Sequence, residues 1–370
     1  SEHPLNPLAF LPKIKDDMAP TIMGVKAYSV WNNGDRTIYE GEQYFANPNN
    51  KVITAPAGKV ALGIHCTDYF QQGGRPCGVV EIKLFKNDEL IFDSNITDID
   101  FDLTRNINAH IDYAEWVKNK RFIQRSYVLP GNQLGYYEGK GEIVLSYPDT
   151  LNMRYEVYDY AGHKSVLPFK LTCSGRKKAR LASTPDTYHW NKTYAIDTMG
   201  ISVVIPQGAL YQDEVLGIKK TKDIWTIGAN DIPLQKAMTI TLPVPDSLEV
   251  TDVCILSRNS KNQVVYIGGD VKDGKITAQT RSLGRFYVGV DSEAPSVRSR
   301  NSKSNLQRSN LIMIGVSDNL SGIGEYEVYI DGEFHPFEYD YKQNMLKARL
   351  SRLRLAKGSH KLLAIVSDSW

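Results

Sequence analysis

GVVEIKLFKNDE (78–89) and GIGEYEVYIDGE (322–333) decide the fold when they are laid over each other. In the first, Val80, Ile82 and Leu84 alternate with Glu81, Lys83 and Phe85. In the second, Tyr326, Val328 and Ile330 alternate with Glu325, Glu327 and Tyr329. A period of two is that of a half-buried strand. Both stretches open on Gly, share two glutamates in register and end in a hairpin turn, Asn87-Asp88 or Asp331-Gly332.

The flanks repeat as well. An Asp in a polar loop precedes each strand, Asp68 or Asp318. DDMAPTI (16–22) and DSEAPSV (291–297) both set Asp, then Ala-Pro, before a strand, while RYEVYDYAG (154–162) and LLAIVSDSW (362–370) both run an apolar strand into an Asp-led turn. The reading is all-β: an immunoglobulin-like sandwich over 18–175, a different sandwich over 176–290, and a second immunoglobulin-like sandwich over 291–370. After its Asp-led turn the first copy continues HKSVLPFKL (163–171), and the second stops at Trp370, so the third module is expected to be truncated. Further strands are expected at 237–244, 252–258, 262–269 and 284–291, which suit a middle sandwich. Residues 93–127 read as an insertion in the first module. Ile107, Ile111, Ala114 and Val117 predict one short helix around HIDYAEWVKNK (110–120).

The totals exclude several classes. A chain of 370 residues with 42% hydrophobic and 23% charged residues has room for two or three globular cores. Net charge is +2, too small for a polyanion-binding footprint, so nucleic acid is not an expected partner. The dense basic run Arg176-Lys177-Lys178-Ala179-Arg180 reads as a solvated linker or an anionic contact. No apolar run is long enough to span a bilayer as a helix.

Chemistry is hard to find. The histidines at 3, 65, 110, 163, 189, 335 and 360 form no H-E-x-x-H or H-x-H pattern, so no catalytic zinc set is expected. There is no G-x-S-x-G elbow and no phosphate loop, and no catalytic residue is assigned. Paired acids such as Asp16-Asp17 or Asp98–Asp102 read as loop residues rather than a hydrolase pair. Asp318, Asn319 and Ser321 offer oxygens to calcium, and an Asx turn accounts for them equally well. Cys66 and Cys77 either bridge across a hairpin, which would contribute roughly 2–3 kcal/mol, or remain free thiols. Cys173 and Cys254 read as unpaired core residues. Tyrosine is abundant at 21 residues; Trp116, Tyr136 and Tyr137 are the candidate binding surface, against a plain packing role on the sheet.

HPLNPLAFLP (3–12), followed by DDMAPTI, resembles the exit from the catalytic domain in lysostaphin/LytM-type zinc metallopeptidases of Bacteroidetes-like bacteria. Residues 1–17 would then be the tail of a preceding catalytic domain. GVVEIKLFKNDELIFDS (78–94), RNINAHIDY (105–113), VLPGNQLGYYEGKGEI (128–143) and YDYAGHKSVLPF (158–169) resemble the long C-terminal region some of these envelope peptidases carry. VVIPQGALYQDE (203–214) resembles ZU-type sandwich modules, and DNLSGIGEYEVYIDGE (318–333) resembles their terminal immunoglobulin-like module. The family's H-x-x-x-D and H-x-H metal ligands have no matching positions, so the resemblance implies zinc upstream and no cofactor in this chain. It also implies an exported protein of the periplasm or cell surface. The expected role is a non-catalytic accessory region that positions, regulates or docks its N-terminal catalytic domain, with peptidoglycan or another envelope protein as further partners. The alternative is a cell-surface adhesion or glycan-binding protein.

Overall fold

The structure is a computed structural model and describes residues 10, 15–33, 36–45, 51–97, 100–177, 187–248, 253–301 and 310–369. It is nearly all β, in sandwiches. Most of the tail expected over 1–17, Asp98, and residues 178–180 of the basic run lie outside the described residues.

The strand Val52–Thr67 organises the first module by serving two sheets. Its first part runs parallel to Lys164–Lys177, which leads on through Thr150–Tyr158, Glu81–Lys86 and Glu89–Asn95 to Tyr137–Gly139. Its second part pairs antiparallel with Thr21–Asn33, beyond which lies Arg36–Phe45. Gly58 stands at the changeover with φ +131°, a backbone state that L side chains rarely adopt. One strand that switches sheets turns the corner of the sandwich. Between the sheets, Val25, Leu62, Ile64, Ile82, Leu84 and Tyr155 belong to a single buried cluster.

The repeated stretches form the expected hairpins. Ile82 and Leu84 are buried on Glu81–Lys86, and Val328 and Ile330 on Ile323–Ile330. Asn87, Asp88, Asp331 and Gly332 all have positive φ, as the tight turn requires.

The insertion differs from the single helix expected. A turn at Ile107–His110 and a helix at Tyr113–Asn119 are separated by Ile111, which is extended (φ −103°, ψ 161°). Ile111 is buried by pairing with Gln124 in a strand-like bridge, and Asp112 then caps the second segment, its carboxylate accepting the Glu115 N–H.

The middle module is two five-stranded antiparallel sheets around Val203, Ile205, Trp225, Ile240 and Phe286. Its strands Met238–Pro243, Val253–Arg258, Val264–Gly268 and Gly284–Val290 fall where the sequence places them. The third module has sheets of four and three strands around Ile314, Val316, Val328, Ile330 and Leu346. Thr150–Tyr158 of the first module is flanked by Lys164–Lys177, whereas its counterpart Leu362–Asp368 is a sheet edge.

The first two modules are joined through Tyr211. It lies on a middle-module loop but is buried with Tyr28, Ala109, Tyr127 and Leu129 of the first. Its carbonyl accepts the Gly131 N–H at 2.7 Å, and its hydroxyl donates to the Arg105 carbonyl at 2.8 Å. No helix among the described residues is long and apolar enough to cross a membrane.

Candidate functional site

Where the insertion meets the edge of the larger sheet, the first module has a cleft of about 590 Å³. Asp93, Asn95, Asp100, Tyr136, Tyr137 and Glu138 are among its lining residues. The pairing of Glu89–Asn95 with Tyr137–Gly139 sets Ser94 opposite Tyr137 and Asp93 opposite Glu138. Strand alternation sends Phe92 and Ser94 into the core and leaves Asp93 and Asn95 for the cleft.

The aromatic wall is held by ring contacts and hydrogen bonds. The Tyr136 and Tyr137 rings lie 4.6 Å apart, tilted by 48°, and Tyr136 meets His110 edge-on at 5.9 Å. His110 is 1% exposed, and both its ring nitrogens are engaged. Gln124 Oε1 lies 2.8 Å from Nε2, which therefore carries the proton. Nδ1 then accepts from the Tyr137 hydroxyl at 3.0 Å, and that hydroxyl accepts from Asn132 Nδ2 at 3.2 Å. Burial pushes His110 down to about 4, so the ring is neutral at ordinary pH. The Tyr137 phenol is pushed up by burial, as is that of Tyr136.

The acidic side of the cleft is less satisfied. Asp93 Oδ2 lies 3.6 Å from Lys83 Nζ, while buried Oδ1 has no hydrogen-bond partner. Burial raises the Asp93 carboxyl above its ordinary range despite Lys83, and the charges of Glu81 and Glu138 add to the rise. Aromatic faces beside an acceptor-rich floor suit a ligand with C–H faces and hydroxyl or amine donors.

Of the three aromatics singled out from the sequence, two meet here and one does not. Trp116 sits on the helix Tyr113–Asn119, 40% exposed, edge-on to Phe122 and with Lys120 Nζ 5.1 Å from its ring centre. It does not line the cleft. Sequence reading missed His110, the residue that anchors Tyr137; its only local signal was a histidine within an apolar insertion.

The Cys66–Cys77 bridge is not formed: all four cysteines are free. Register is the reason. Asp68, rather than Cys66, stands opposite Cys77, with N–H···O bonds of 3.0 and 2.8 Å in the two directions. Cys66 is one diagonal away and buried, its sulfur accepting from Gln124 Nε2 at 3.6 Å, and burial pushes its thiol up to about 12.

Comparison with curated proteins gives no match. Among solved structures, the chain is similar to one from work on host cell surface retention of a 1.5-MDa bacterial ice-binding adhesin. The likeness is 10% identity over 86% of this chain and 93% of that one, with a TM-score of 0.15. Another comes from a Ca2+-stabilized adhesin that helps an Antarctic bacterium bind ice, at 12% identity over 86% and 70%, with a TM-score of 0.13. Scores that low do not establish a shared fold. Residues 185–291, less than a third of the chain, match the family model of the Zu5-like domain, and they span the middle sandwich.

Proposed function

We propose that this chain is a non-catalytic binding region of an extracellular or cell-surface protein, with the Tyr136 cleft as its glycan-binding site. One observation carries the reading: Tyr136 and Tyr137, held by His110, face a cleft whose floor carries the undersatisfied Asp93. A pyranose presents a C–H face to an aromatic ring and hydroxyl donors to carboxylate and amide oxygens, which is the complement of this lining. Sandwich modules support such a site without supplying chemistry of their own. The accessory role beside a zinc peptidase draws on sequence resemblance alone, whereas the cleft is a feature of the folded chain.

The test is calorimetric titration of the chain with soluble peptidoglycan fragments and neutral oligosaccharides. Saturable binding is expected, weakened about tenfold or more by Tyr136→Ala and by Asp93→Asn, and unchanged by Trp116→Ala; tenfold corresponds to about 1.4 kcal/mol. Absence of binding to every glycan would sink the assignment. Turnover of any of them would overturn its non-catalytic part.

A further inference from the structure

The two outer modules carry aspartates at the same three points of their framework. Asp16 and Asp291 each stand five residues before the first strand, which begins at Thr21 or at Ser296. Thr21 pairs with Thr67 and Ser296 with Ser317, and the next residues are Asp68 and Asp318. Ile82 pairs with Val157 and Tyr326 with Val366; Asp159 and Asp368 lie two residues further on. Register therefore brings all three carboxylates to the same end of each sandwich.

In the first module, ligand atoms of Asp16, Asp159 and His163 lie within 4.8 Å of one another. Asp68 is 4% exposed, and its Oδ1 has no hydrogen-bond partner. The carboxylates of Asp159 and Asp16 and the His163 ring are near enough to Asp68 to act on its charge. In the third module, Asp291 is 5% exposed and its Oδ2 accepts the Ser321 N–H at 3.1 Å. Asp318 Oδ2 closes an Asx turn on the N–H groups of Leu320 and Gly322 at 2.7 and 2.9 Å. The turn accounts for one oxygen only. Asp318 Oδ1, Asp291 Oδ1 and Ser321 Oγ are all buried without a partner, in one loop closure.

Buried carboxylate oxygens without donors are costly, and gathering like charges adds to the cost; a bound cation answers both. The oxygens of the third module suit a hard cation rather than a thiolate- or imidazole-preferring metal. His163 Nδ1 is already engaged with Asp159 Oδ2 at 2.9 Å, so it serves as a neighbour of the site.

We propose that each outer module binds one divalent cation of the calcium class, through Asp16, Asp68 and Asp159 in the first and Asp291, Asp318 and Ser321 in the third. Asp368 adds negative charge beside the second site, where Ser369 N–H bonds to the Gly322 carbonyl. This second site lies at a joint. Asp291 directly follows the middle-module strand Gly284–Val290. The phenol of Tyr266, on the middle-module strand Val264–Gly268, is near enough to Asp291 and Asp368 to feel their charge. A cation there ties the third module to the middle one. The proposal does not depend on the glycan cleft.

Chelator-stripped chain titrated with Ca2+, with bound metal counted by mass spectrometry, tests it. Two ions per chain are expected, at roughly 0.1–1 mM affinity, with a rise in the unfolding midpoint. Asp291→Asn and Asp68→Asn should each retain one ion while keeping the circular dichroism of the parent. Tb3+ gives a second readout: its emission, excited through tyrosine, should fall in Tyr266→Phe without a change in ion count. The proposal is overturned by no Ca2+ uptake, by unchanged stoichiometry in both variants, or by binding confined to Zn2+ and lost in His163→Ala.

Discussion

His110 is buried with both ring nitrogens engaged, and burial holds it at about 4 against an ordinary 6.5. Between pH 6.5 and about 4, the unfolded chain takes up a proton that the folded chain refuses. Stability is therefore full above 6.5 and falls as the pH drops through that window, by on the order of 3 kcal/mol at most. Thermal unfolding from pH 7 to pH 4 should show the gap between the parent and His110→Gln narrowing by that order; a constant gap would mean the ring is not buried neutral. Gly141 makes a second case at the scale of one residue. Its φ is +64°, and a Cβ would lie 1.7 Å from the Ser126 carbonyl oxygen. Gly162 also has positive φ, +92°, but open space around it. Gly141→Ala should cost about 3–5 kcal/mol and Gly162→Ala about 1, read from denaturant midpoints.

The helix Tyr113–Asn119 is held to the sheet by its cap rather than by a buried face, since none of its residues is buried. Asp112 caps it and also accepts Lys26 Nζ at 2.8 Å and the Tyr28 hydroxyl at 2.8 Å. Burial works to raise the Asp112 carboxyl, yet Arg125 and Lys26 hold it below its ordinary range. Asp112→Ala removes the cap and leaves two cations with a missing partner. The expected loss is about 3–5 kcal/mol, with faster hydrogen exchange in 107–119 than elsewhere in the first module. Uniform exchange would show that the helix is held by something else.

Across the molecule, Tyr211 of the middle module is buried in the first, a contact expected to make the two unfold as one body. Tyr211→Ala should lower stability by about 3–5 kcal/mol and split a shared calorimetric transition in two; a single unshifted transition would deny the coupling. Lys118 and Asp231 add an ion pair across the same joint. Near it, burial pushes the Glu214 carboxyl up to about 7, with Asp231 and Asp213 adding to the rise and Gln212 and Arg125 opposing it. The folded chain keeps this proton between pH 4.5 and about 7 while the unfolded chain has lost it, so stability falls as the pH rises through that window. Glu214→Gln should therefore gain on the parent as the pH rises from 4.5 to 7.

What the amino-acid sequence determined by itself was local. Alternation in 78–89 and 322–333, turn residues at Asn87-Asp88 and Asp331-Gly332, and spaced strands over 237–291 specify layered β-structure, because side-chain period and turn geometry are properties of a few consecutive residues. Register was decided only by the tertiary structure. It set Asp68 opposite Cys77, drew Ile111 out of its helix to pair with Gln124, and brought His110 behind Tyr137. It also set Asp16 beside Asp159 and His163 in the first module, and closed the Asp318–Ser321 loop on Asp291 in the third. A slip of one residue moves every side chain of a strand to its other face, and sheets pairing residues far apart in the chain leave no local signal of which residues will meet.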